Sequence, residues 1–201
     1  MRQMLRTAAC IAASACIATA AAQAPAGANK GAASIAPPDL AALIQCRKEV
    51  PDFLALQPAV RDPRTALALG WKPLPQVNPF MSEFALAEPI KVFGHASSHI
   101  AFSGDSIMAI LDLPDPRPLA RQLDLETGLD TPEKAIFGKQ LRQRAQTDPD
   151  SGQTLIQAII LNVSNVASHP GKTLVGCSYN LDSEDPAPAP TASATTAAAA
   201  P

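Results

Sequence analysis

Alternation of apolar and polar positions is clearest between Pro89 and Leu113, where three short apolar runs are separated by two groups of turn residues. Ile90 to Phe93, Ile100 to Phe102 and Ile107 to Leu111 have the length and residue types of strands. Gly94-His95-Ala96-Ser97-Ser98 and Ser103-Gly104-Asp105-Ser106 read as the turns between them, so the pattern predicts a three-stranded antiparallel meander. From Met81 the chain already alternates and extends the same sheet. Farther along, Ile136 to Gln146 sets Phe137, Leu141 and Ala145 against Gln140, Arg142, Arg144 and Gln146, the period of a half-buried strand. Asp148-Pro149-Asp150-Ser151-Gly152 is a turn, because Pro fixes φ, Gly permits positive φ and Asp caps locally. Leu155 to Val166 is the longest strand candidate. His169-Pro170-Gly171-Lys172 then turns the chain into a last strand, Thr173 to Tyr179.

Helical spacing appears before and between these runs. Pro37-Pro38-Asp39 starts a helix on which Leu40, Leu43, Ile44 and Arg47 recur, with Cys46 on its flank and Pro51 as its expected stop. Asp52 can cap a short turn through Leu56. Asp62-Pro63 opens a further helix that Gly70 ends at its C′ position, leaving Trp71 as a core plug beneath it. Lys72 to Pro79 holds three prolines and is excluded from a central strand. Asp115 caps, and Pro116 begins, a helix with Leu119, Ala120 and Leu123 on one stripe.

The predicted class is therefore α+β: N-terminal helices packed on antiparallel meanders, their order suggesting two similar helix-plus-three-strand halves. No residue-level repetition accompanies that order. The layout is similar to that of the beta-lactamase inhibitor protein fold and of small outer-membrane assembly lipoproteins. That similarity is architectural and does not fix a function.

The ends of the chain set the compartment. Arg2 and Arg6 precede an uncharged run from Thr7 to Ala22 that closes on small residues, the layout of a secretory signal over residues 1–22 with a mature start near Gln23. The run is shorter than the roughly 20 apolar residues of a membrane span. Lipid anchoring at Cys16, after Ala13-Ser14-Ala15, is the minor alternative. Residues 23–38 are rich in Ala, Gly and Pro, and residues 182–201 in Pro and Ala; neither composition buries enough apolar surface to fold. One α+β domain, 39–181, remains, with no transmembrane segment once the signal is removed. It contains Cys46 and Cys177, an even pair in an exported chain, which predicts one disulfide.

Charge and chemistry narrow the function classes. The formal net charge of −2 becomes more negative when Arg2 and Arg6 leave, and no Lys/Arg cluster stands out, which argues against nucleic acid as a partner. Aromatic residues make up only 4% of the chain, so the core must be mainly aliphatic. Gly104-Asp105-Ser106 resembles the nucleophile signature of the SGNH hydrolases, but it leads into a strand, and the Asp-x-x-His that completes such sites is missing. His169-Pro170-Gly171-Lys172-Thr173 ends like a phosphate loop, yet Val166 stands where its first Gly belongs. His95 and His99 are four apart, the spacing that puts two ligands on one helical face, although Gly94 and the serines favour a turn. Met81 and Met108 are the thioethers that would enlarge such a pair into a copper site. Arg142 and Arg144 project from one strand face and suit an anion or a partner.

The residues thus predict an exported, non-catalytic binding or accessory protein of the bacterial cell envelope, an inhibitor among the options, located in the periplasm or secreted. Its partner would be a protein or small ligand of the envelope, contacted through Arg142, Arg144, His95 or His99. No catalytic residue, metal or cofactor is assigned. The alternatives are a small envelope hydrolase using His95 or His99 with Ser or Asp105, and a histidine-based metal-binding protein.

Overall fold

The computed structural model describes residues 37–149 and 151–183. The expected signal, the lipid-anchoring alternative at Cys16, and the chain beyond residue 183 lie outside the described residues. Four short helices come first: α1 (Leu40–Ile44), α2 (Val50–Leu54), α3 (Gln57–Arg61) and α4 (Pro63–Ala68). Asp39 caps α1 by accepting from the Ala42 N–H at 2.9 Å. The helix ends at Gln45, and Cys46, at φ 55°, turns the chain away. Pro51, expected to stop α1, instead sits in the first turn of α2, where its missing N–H costs nothing. Asp52 caps that same helix from inside, accepting the Glu49 N–H at 3.0 Å. Asp62 caps α4, and Gly70, at φ 78°, follows its end as expected.

The strands are β1 (Trp71–Pro73), β2 (Ser82–Val92), β3 (His95–Ser103), β4 (Ser106–Leu111), β5 (Glu126–Asp130), β6 (Ala135–Thr147), β7 (Thr154–Ser164) and β8 (Thr173–Ser183), with α5 (Arg117–Gln122) between β4 and β5. They form one antiparallel sheet in the order β1-β2-β3-β4-β8-β7-β6-β5. The sheet is two meanders joined where β4 pairs with β8. Each meander has four strands rather than the three expected, because the short outer strands β1 and β5 carry no clear apolar period. β8 continues through Asp182 and Ser183.

Two local expectations are corrected. The turn expected over Gly94 to Ser98 contracts to Phe93-Gly94, both at positive φ, and His95 to Ser98 belong to β3. In β6 the register shifts between Gln140, opposite Ile160, and Arg142, opposite Ile159. Leu141 occupies that bulge and is left 42% exposed, so the apolar stripe read through it breaks there.

The helices cover one face of the sheet. Phe84, Val92, Ile100, Phe102, Ile107, Val163, Val175 and Tyr179 point into that core, at the spacing of two that strand geometry imposes. The few aromatics concentrate here: Phe53 stacks on Tyr179 with centroids 5.1 Å apart, and Trp71, Phe84 and Phe102 lie 5.9 Å from one another. The Tyr179 hydroxyl donates to the Leu43 carbonyl at 2.7 Å, and burial pushes that phenol far above its ordinary range. Cys46 and Cys177 are disulfide-bonded, with Cα atoms 5.2 Å apart, fastening the turn after α1 to the middle of β8. On the sheet's other face a smaller cluster of Met81, Ala101, Ile110 and Leu174 is joined by Met108 and Val166.

The disulfide closes a loop of 131 residues, which in the chain-entropy view stabilises the fold by up to about 5 kcal/mol. Replacing both cysteines by alanine is expected to lower stability by about 3 to 5 kcal/mol, seen as a lower urea midpoint, with a steeper denaturant slope because the unlinked unfolded chain exposes more surface. An unaltered midpoint would show that the link constrains nothing.

Candidate metal centre

On the face away from the helices, three side chains from distant parts of the chain converge. Glu83 on β2 follows Met81 and precedes Phe84, so the pleat that sends Phe84 into the main core sends Glu83 to the opposite side. His99 on β3 pairs with Ala85, one pleat from the Glu83–Ala101 pair, and shares that face. His169 comes from the β7–β8 connection, which folds back so that Val166 packs on the small apolar cluster.

The local backbone holds each residue in place. Ser97 Oγ lies 2.9 Å from the His99 carbonyl and 2.8 Å from the Ile110 carbonyl, and it accepts the His99 N–H at 3.1 Å, which locks β3 at the histidine. The His169 N–H donates to the Val166 carbonyl at 3.0 Å, and the Lys172 N–H to the His169 carbonyl at 3.2 Å, a tight turn. Asn165 fastens the base of the connection by accepting the Ala135 N–H at 2.8 Å. Asn78, from the β1–β2 connection, donates to Ser168 Oγ at 3.2 Å, and Ser168 Oγ is 3.0 Å from His169 Nδ1.

The three groups meet at a single oxygen. His99 Nε2 is 2.9 Å and His169 Nε2 3.1 Å from Glu83 Oε2. Side-chain exposure is 3% for Glu83, 9% for His169 and 32% for His99, so the cluster opens to solvent only past His99. Glu83 Oε1 is buried and has no hydrogen-bond partner. A buried carboxylate oxygen left unpaired is costly and requires an explanation. A donor or cation at that position would satisfy it.

The donor set suits a borderline transition metal. One candidate ligand atom from each of the three residues lies within 4.8 Å of the others. Tetrahedral bonds of about 2.0 to 2.1 Å place ligand atoms roughly 3.3 Å apart, so the two histidine–glutamate distances need to open by only a few tenths of an ångström. Two imidazoles and a carboxylate are a zinc- or copper-type set; calcium and magnesium demand oxygen shells. Ser168 supplies the outer contact that metal-bound histidines ordinarily make through their second nitrogen. A metal held at Nε2 would place the His169 proton on Nδ1, facing Ser168 Oγ.

The residues singled out from the sequence are dispersed. His99 belongs to the cluster. His95 is four residues along a strand, about 13 Å away at 3.3 Å per residue. It lines a cleft with Leu113, Asp115, Leu119 and Gln122 beside α5. Asp105 sits in the β3–β4 turn, at the opposite end of β3 from His95. Arg142 donates to the Cys46 and Lys48 carbonyls at 2.8 and 2.7 Å and pairs with Glu49 at 3.1 Å; Arg144 pairs with the same carboxylate. Both arginines therefore fasten β6 to the α1–α2 connection. Met81 and Met108 lie in or against the small apolar cluster on the site's face.

Glu83 and His169 were not recognised as site residues from the sequence. Glu83 reads as the polar position of an edgeward strand, and His169 as a turn residue beside Pro170. The available signal was the alternation itself, which assigns Glu83 and Ala101 to the face opposite Phe84 and Phe102. Comparison of the chain with protein-family models, with curated proteins and with solved structures returned no match. The site's chemistry must therefore carry the functional reading.

Each Nε2 faces a carboxylate oxygen, which accepts a hydrogen bond from an Nε2 that carries the ring proton. Long-range proton–nitrogen correlation spectra at neutral pH are expected to show protonated Nε2 on His99 and His169. An Nε2 without a proton on either ring would contradict this arrangement.

Proposed function

We propose that this chain is an exported binding protein of the cell envelope that captures one divalent transition-metal ion, zinc or copper, through Glu83, His99 and His169. The observation that carries this reading is the buried Glu83 carboxylate, which has two imidazoles on one oxygen and no partner on the other. A carboxylate placed only for structure would be expected to satisfy both oxygens, since desolvating it unpaired is expensive. The signal-like leader and the disulfide support export. The role is sequestration or delivery rather than catalysis: His95 and Asp105, half of the hydrolase alternative, lie away from the cluster.

Purified without chelator and titrated with zinc, the mature chain is expected to bind one ion per molecule. Glu83→Gln, His99→Ala and His169→Ala should each weaken binding by about a hundredfold or more, while His95→Ala should leave it unchanged. Equal affinity in all four variants would exclude this site.

Acidification should release the ion. Protons compete with the ion for its nitrogen and carboxylate ligands, so affinity falls as pH drops and recovers as pH rises. An affinity constant between pH 5.5 and 7.5 would show that histidines are not ligands. The mass of the secreted chain checks export: cleavage near Gln23 and a mass two hydrogens light are expected.

A further inference from the structure

Three protein ligands leave a tetrahedral ion one open position. In this site that position has a defined direction. Glu83 and His169 are buried, and the cluster reaches solvent beside His99, at a cleft of about 310 Å³ that His99 shares with Ser98, Ile110, Asp112 and Lys172. Asp112 follows the end of β4, two residues beyond Ile110, whose side chain belongs to the small apolar cluster on the metal-site face. Alternation therefore sends Asp112 to the same face as His99. It is the carboxylate among the described residues lining that cleft.

The Asp112 carboxylate is held by the Lys172 ammonium. The Asp112 side chain is 89% exposed and that of Lys172 43%, so the pair is solvated, and an exposed ion pair of this kind contributes little stability. The Lys172 hydrogen bond and charge, and to a lesser extent the His99 charge, hold the Asp112 carboxyl below the ordinary carboxylate range.

Resting on the metal-binding reading above, we infer that Asp112 is the fourth ligand and that Lys172 is its latch, holding the carboxylate aside until an ion arrives. Charge decides the exchange. A dication bound beside Glu83 leaves one positive charge uncompensated, which attracts the Asp112 carboxylate and repels Lys172. Asp112 rotates from the ammonium to the metal, the ion becomes neutralised by two carboxylates, and the Lys172 side chain moves into water. Ion capture closes the mouth of the site with a residue that the ion itself recruits.

Zinc affinity by chelator competition and the visible spectrum of the cobalt(II)-loaded protein test this on the full mature chain. Asp112→Asn is expected to weaken zinc binding 10- to 100-fold at unchanged one-to-one stoichiometry and to replace the intense four-coordinate cobalt bands by weaker ones. Lys172→Ala is expected to tighten binding several-fold, since it removes both the competing cation and its repulsion. Both residues are at the surface, so thermal melts should match the parent. Unchanged affinity and spectrum in Asp112→Asn, alongside loss of binding in His169→Ala, would overturn the fourth-ligand assignment while leaving the three-residue site intact. Unchanged binding in His169→Ala and Glu83→Gln would instead remove the site itself.

Discussion

The pairing of β4 with β8 is the constraint on which the rest depends. Each meander alone is a strip with two open edges; pairing Ile107 with Cys177 and Ala109 with Val175 makes them one sheet with a continuous core face. The close approach needs a glycine at position 176, where a Cβ would meet the Ile107 carbonyl oxygen and the Met108 Cα. The same pairing creates the site. Glu83 and His99 come from the first meander, His169 from the connection that delivers β8, and they meet only because the two meanders are joined at these strands.

Sheet faces then separate two kinds of work. The helix-covered face holds nearly all the apolar burial, the aromatic group and the disulfide, and it carries stability. The opposite face has a small apolar patch beside the buried Glu83. Burial strengthens the attraction between Glu83 and any cation while penalising its unpaired oxygen, which is the physical basis of the metal-binding proposal. Ser168, itself held by Asn78 from the β1–β2 connection, contacts the His169 imidazole, and Ser97 within β3 fixes the His99 backbone, none of them adding charge.

Local structure was legible where chemistry is local. Asp39, Asp62 and Gly70 mark helix ends through caps and positive φ, and the three-run meander reads from its period. Long-range and irregular features were not. Leu141 follows the apolar period of β6, and only the partner strand reveals the bulge that turns Arg142 towards the helices. Four-residue spacing of His95 and His99 suggests shared ligation only on a helix; on a strand the same spacing separates them. Glu83 and His169 are 86 residues apart, and no periodicity encodes a meeting set by how two sheet halves join. The sequence pairs His99 with His95, whereas the structure sets it beside Glu83 and His169.

That joint also sets the order of events as the chain folds. β4 waits for β8, the last strand of the described fold, and the bond between Cys46 and Cys177 spans 131 residues. High contact order of this kind makes folding slow, with the closing pairing formed late. The first meander alone brings Glu83 and His99 together, and His169 joins them only when the second meander docks. On the metal-binding proposal, a chain short of β8 would have no complete site with which to hold an ion.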